Sequence, residues 1–122
     1  MEENNISPIR SDFEQIKKQN ESGSEYWASR DLCVALGYST YQKFSRTINK
    51  AIAIANHKGL NTAEHFNHTV EMVRLGSSSF RKVENIHLSR MACLVIAENA
   101  DGKKPQVQMA REYFRQEIPT SE

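Results

Sequence analysis

Apolar positions along this chain fall into helical and strand-like periods separated by short polar breaks. Leu32, Val34, Ala35 and Leu36 follow Ser29, a candidate N-cap, and precede Gly37, where a left-handed backbone costs little, which predicts a short capped helix. Ser39 or Thr40 can cap the next helix, on which Tyr41, Phe44, Ile48, Ala51, Ile52 and Ala55 share one side at about 100° per residue. Lys43, Arg46 and Lys50 fall nearly opposite them. Upstream, Ser11 with Glu14 has the spacing of a capping box opening a short helix with Phe13 and Ile16, and residues 25–27 suit a short strand that brings Trp27 into the core.

Gly59 is the expected stop of the long helix, with residues 61–66 as an irregular connection or a single turn. Residues 69–75 and 80–86 are β-compatible and flank Gly76-Ser77-Ser78-Ser79, which predicts a β-hairpin. Residues 88–99 are apolar nearly all round and predict the central helix, and Pro105 opens a last helix striped with Val107, Ala110, Tyr113 and Phe114. The expected fold is a single α+β, mainly helical domain of about five helices with a short strand and a β-hairpin.

A chain of 122 residues suits one domain, and no apolar run approaches the length of a membrane span, so a cytoplasmic protein is the default expectation. Cys33 and Cys93 lie in apolar helical patterns without metal-type spacing and read as buried small hydrophobes. The net charge of +1 hides an uneven distribution. Residues 1–25 hold six acids against three bases, whereas residues 39–82 hold seven bases against two acids. Residues 1–11 read as a flexible acidic leader, 12–118 as the domain and 119–122 as a tail.

The two helices around Gly37 have the shape of a helix-turn-helix reader of DNA. On the second of them, Lys43, Arg46 and Lys50 would meet phosphate, and Gln42 and Asn49 could reach base edges. The hairpin would act as a wing whose Arg74, Arg81 and Lys82 clamp the flanking backbone, the small serines permitting close approach. The same features also suit a solvated helix face and an edge hairpin that uses charge against aggregation.

Other chemistry is sparse. His57, His65 and His68 are close in sequence, but no further ligand completes a metal set, so no metal and no cofactor are expected. Phosphate-loop, dinucleotide and zinc-protease motifs are absent, and nothing local supplies a base for Ser77, Ser78 or Ser79, so no catalytic residue is assigned and no enzyme is expected. Arg90, at the start of the central helix, needs a partner. Asp31 or Glu98 would be a structural one, a phosphate a functional one.

Several stretches together carry a resemblance: Trp27-x-Ser29-Arg30-Asp31-Leu32, Leu36-Gly37-Tyr38-Ser39-x-Tyr41-x-Lys43-Phe44, His65-Phe66, Val73-x-Leu75-Gly76-Ser77, Leu88-Ser89-Arg90-x-Ala92-Cys93, Asn99-Ala100-Asp101 and Tyr113-Phe114. In order and spacing, over residues 13–116, the chain resembles the DNA damage-inducible protein D (DinD) family. The resemblance implies a domain similar to the BRO amino-terminal domain of phage and viral antirepressor-type proteins, a group associated with DNA binding. It also implies a place in the bacterial DNA-damage (SOS) response. The chain departs from the family at Met91 and Leu94, where aromatics are common, and at Gly102, where proline is frequent. Family members continue beyond the position of Glu122, so an amino-terminal domain of a longer protein is expected, with no catalytic residues to carry over.

The expected partner is DNA, single-stranded or duplex. The alternative is a protein-interaction module acting on a DNA-repair protein, and a homodimer stays open. Tyr26, Tyr38, Tyr41 or Phe80 clustered outside the basic face would favour a protein partner, because aromatic anchors dominate such interfaces.

Overall fold

A computed structural model describes residues 8–116. Six helices and four strands follow one another as α1 (Pro8–Gln15), β1 (Lys18–Gln19), β2 (Glu25–Ala28), α2 (Ser29–Ala35), α3 (Tyr41–His57), α4 (Thr62–His65), β3 (Phe66–Arg74), β4 (Phe80–Leu88), α5 (Arg90–Asn99) and α6 (Pro105–Gln116). The strands form one antiparallel sheet in the order β1-β2-β4-β3. This overturns the expected fold of about five helices with a short strand and a β-hairpin. The short strand pairs with the hairpin, through Trp27 opposite Leu88, so the sheet is continuous, and β1 and the single-turn α4 are additional. α1 opens at Pro8, so its first turn falls within the stretch read as leader; residues 1–7 and 117–122 lie outside the described residues.

The core forms where the apolar helix faces meet the base of the sheet. Phe44, Ile48, Ala51 and Ala55 of α3 pack with Ala92, Cys93 and Ile96 of α5, and Val107, Ala110 and Phe114 of α6 close the other side. Trp27 is fully buried, donates its indole N–H to the Phe13 carbonyl at 2.9 Å and meets Phe114 edge-on at 5.0 Å. Burial of its polar tip is thereby satisfied. Cys33 and Cys93 are buried free thiols, and burial raises the pKa of both.

Gly37 ends α2 at φ +82°, and a Cβ there would sit 2.9 Å from the Gln106 amide, so conformation and space both call for glycine. Thr40, not Ser39, caps α3 by accepting from the Lys43 amide at 3.1 Å, and Ser89 caps α5 through the Ala92 amide. Ser29 is not the cap expected of it. Residue 28 holds that position without a side-chain bond, and Ser29 turns inward instead.

Candidate nucleic-acid interface

The inward turn of Ser29 joins the two parts of the chain that carry the basic residues. Its Oγ donates to Asn85 Oδ1 at 2.8 Å, accepts from the Ile86 amide at 3.0 Å and meets the Tyr41 hydroxyl at 2.7 Å. One hydroxyl hydrogen serves Asn85, so Tyr41 is the donor in the third bond. Arg30 continues the junction: its amide donates to Asn85 Oδ1, its Nε to the Glu84 carbonyl at 2.7 Å, and its guanidinium lies 4.0 Å from the centre of the Tyr41 ring. The start of α3 is thus fastened to the middle of β4, with both Ser29 and Asn85 buried. Buried polar groups bonded on every side hold a geometry tightly. Here they fix the angle between helix and hairpin.

From that junction α3 runs with one face inward and the other free. Gln42, Lys43, Arg46, Asn49 and Lys50 are all exposed on the face opposite Phe44, Ile48, Ala51 and Ala55. The helix contains no acid, and Lys43 stands in its first turn, where a cation opposes the helix dipole. Among the described residues, Lys43, Arg46 and Lys50 have no ion pair and no side-chain hydrogen bond. The face therefore lacks the anionic complement that a merely solvated helix usually carries at i,i+4 spacing.

The hairpin extends further than its sequence pattern indicates. β3 and β4 pair over nine rungs, from Phe66 opposite Leu88 to Arg74 opposite Phe80, about 30 Å at the usual rise. Only its base is covered, by Phe66, Ile86 and Leu88. The outer half stands in solvent as an arm, with Val70, Met72, Val73, Leu75 and Phe80 exposed. Arg74, Arg81 and Lys82 are exposed there too, but not on one surface. Alternation along the strands places Arg74 and Lys82 on one face and Arg81 on the other. Arg81 and Lys82 have no ion pair among the described residues, and the Arg74 guanidinium lies 5.4 Å from the centre of the Phe80 ring.

Other candidates resolve into structure. Arg90 is 8% exposed and paired through Nε and Nη2 with Glu25 at 2.7 and 3.0 Å, not with Asp31 or Glu98, which bind Lys18 and Arg115. Burial works against its charge, and the Glu25 carboxylate more than offsets that, raising its pKa. Its guanidinium also lies over Trp27 and Tyr113. His65 Nδ1 meets Ser89 Oγ at 2.6 Å, and among the described residues no three His, Cys, Asp or Glu side chains gather to hold a metal ion. No helix among them is long and apolar enough to cross a membrane.

The aromatic rings do not cluster. Tyr26 is half-buried and stacked on His87 at 4.2 Å, Tyr38 packs against Phe44, and Tyr41 belongs to the Ser29 junction. Phe80, 52% exposed, stands among the cations of the arm. The exposed apolar residues of the arm are what the sequence reading missed. Their signal is the alternation in Val70-Glu71-Met72, which puts two apolar side chains on one face without any apolar element to cover them.

Comparison with curated sequences finds DNA damage-inducible protein D of Escherichia coli strain K12, 36% identical over 115 residues. The match covers 90% of this chain and 42% of the relative, so the chain spans less than half of that protein's length. No family model matches the chain, and no solved structure matches it.

Proposed function

The chain belongs to the DNA damage-inducible protein D family, and from that premise we propose that it is a cytoplasmic, non-catalytic DNA-binding module of the bacterial DNA-damage response. The proposal includes kinship with the BRO amino-terminal domain. The observation that carries it is the pair of cation sets without ion pairs among the described residues, Lys43, Arg46 and Lys50 on α3 and Arg81 and Lys82 on the arm, held at a fixed angle by the Ser29–Asn85 junction. Cations left without internal anions suit the regular phosphate array of a nucleic acid. Gln42 and Asn49, on the same face of α3, are placed to reach base edges. A protein partner is the weaker reading, because three of the four candidate aromatic anchors are engaged within the fold.

The test is binding of labelled duplex and single-stranded DNA across a salt series, for the full chain and for Lys43→Ala/Arg46→Ala/Lys50→Ala. With each of the five cations in these two sets neutralising one phosphate, the logarithmic salt slope for duplex DNA is about -4.5, and the triple variant flattens it by about 2.7 if all three contacts are lost. Absence of binding at low salt, from folded protein, would overturn the proposal in favour of a protein partner.

A further inference from the structure

The three outermost rungs of the β3–β4 arm share a pattern. Met72 faces Lys82, Val73 faces Arg81 and Arg74 faces Phe80, so each rung pairs one cation with one apolar side chain. Because successive rungs point to opposite sides, both faces of the arm carry this pairing. The acids lie nearer the body: Glu71 faces Val83 and Glu84 faces Val70. Beyond the last rung the turn is closed by the Leu75 amide donating to the Ser79 carbonyl at 2.8 Å, and its residues are glycine and serine.

One face carries Val70, Met72 and Phe80 with Arg74 and Lys82, the other Val73 with Arg81, so both faces present a cation, which suits a cleft with an anionic wall on both sides. The major groove of B-DNA is such a cleft, about 12 Å wide and about 8.5 Å deep, and wide enough for a two-stranded ribbon. The three rungs span about 7 Å along the strands, comparable with that depth. We propose, building on the DNA-binding reading, that the arm enters the major groove of duplex DNA tip-first, with Arg74, Lys82 and Phe80 facing one wall, Arg81 facing the other, and the Phe80 ring against thymine methyl groups exposed along its wall. The small turn residues let the tip approach the base edges. Phe80, already 52% exposed beside Leu75 at 60%, has apolar surface to cover there.

The experiment compares a short duplex of alternating A·T pairs with the same duplex built from deoxyuridine, which lacks only the methyl groups, using the full chain and Phe80→Ala. For wild type, removing the methyls weakens binding about two- to fourfold per methyl contacted. Phe80→Ala binds the thymine duplex more weakly than wild type, keeps the same salt slope and loses nothing further with uracil; Leu75→Ala serves as a second variant near the tip. An unchanged wild-type affinity for the uracil duplex, or an equal loss in Phe80→Ala, overturns the insertion while leaving DNA binding in place. Absence of binding to either duplex overturns both readings. A DNA-free dimer that Phe80→Ala dissolves assigns the ring to a second copy and overturns the insertion.

Discussion

The two ends of the sheet treat cations and rings in opposite ways. At the base, Arg90 is enclosed by Trp27 and Tyr113 and held by two bonds to Glu25, so charge and ring are both matched inside the fold. At the tip, Arg74 lies over Phe80 with both open to solvent, and Arg81 and Lys82 have no ion pair among the described residues. The same kinds of side chain stabilise the domain at one end and are left available at the other. The difference is set by what packs on the sheet: the helices cover it near Trp27 and stop short of the outer half of the hairpin.

Substitutions along this gradient should separate the two ends. Trp27→Ala removes the largest buried ring and its bond to Phe13, and should destabilise the domain by about 4 kcal/mol in denaturant unfolding. Asn85→Ala breaks the junction and leaves Ser29 and the Ile86 region short of partners, an expected loss of about 2 kcal/mol. Because that junction orients arm and helix, the same variant should weaken DNA binding beyond its loss of folded protein, measured where the variant is fully folded.

A smaller effect belongs to the pair of Tyr113 and Glu14. The Tyr113 hydroxyl donates to Glu14, which holds that carboxyl below its ordinary 4.5, while burial pushes the Tyr113 hydroxyl's own pKa upward. A carboxyl whose pKa is lower folded than unfolded contributes stability above its unfolded value and loses it as pH falls through the folded one. Tyr113→Phe should therefore lower stability by about 1 kcal/mol at pH 7, and the gap from wild type should narrow on acidification toward about pH 3. Equal gaps at both pH values would contradict this assignment. Smallest of all, Phe80→Ala should change stability by less than about 0.5 kcal/mol, since its ring is half exposed and the Arg74 guanidinium beside it is exposed too. A loss comparable to that of Trp27→Ala would erase the contrast between the two ends.

What was legible in the sequence follows the range of each interaction. The face of α3 was readable because Phe44, Ile48, Ala51 and Ala55 repeat at helical spacing and the bases fall opposite. β1 was not, because Lys18–Gln19 is two polar residues and pairs only through backbone. Ser29 has the local pattern of a cap because it precedes a helical run, whereas its role depends on Asn85, 56 positions away. Arg90 was correctly seen to need a partner, but Glu25 lies 65 positions away and no local pattern points to it. The hairpin was visible, yet its reach was not. Asn67 and His68 hide the start of β3, and alternation reveals a strand without revealing whether any element covers it.

The central claim is that α3 and the arm form one DNA-contacting unit while the base of the sheet serves only the fold. Amide resonances of the full chain, followed by NMR during titration with a short duplex, test this most directly. Shifts confined to residues 42–50 and 72–82, with α5 and α6 unmoved, are expected. Shifts centred on α5 or α6, or none in the arm under conditions where the duplex binds, would contradict it.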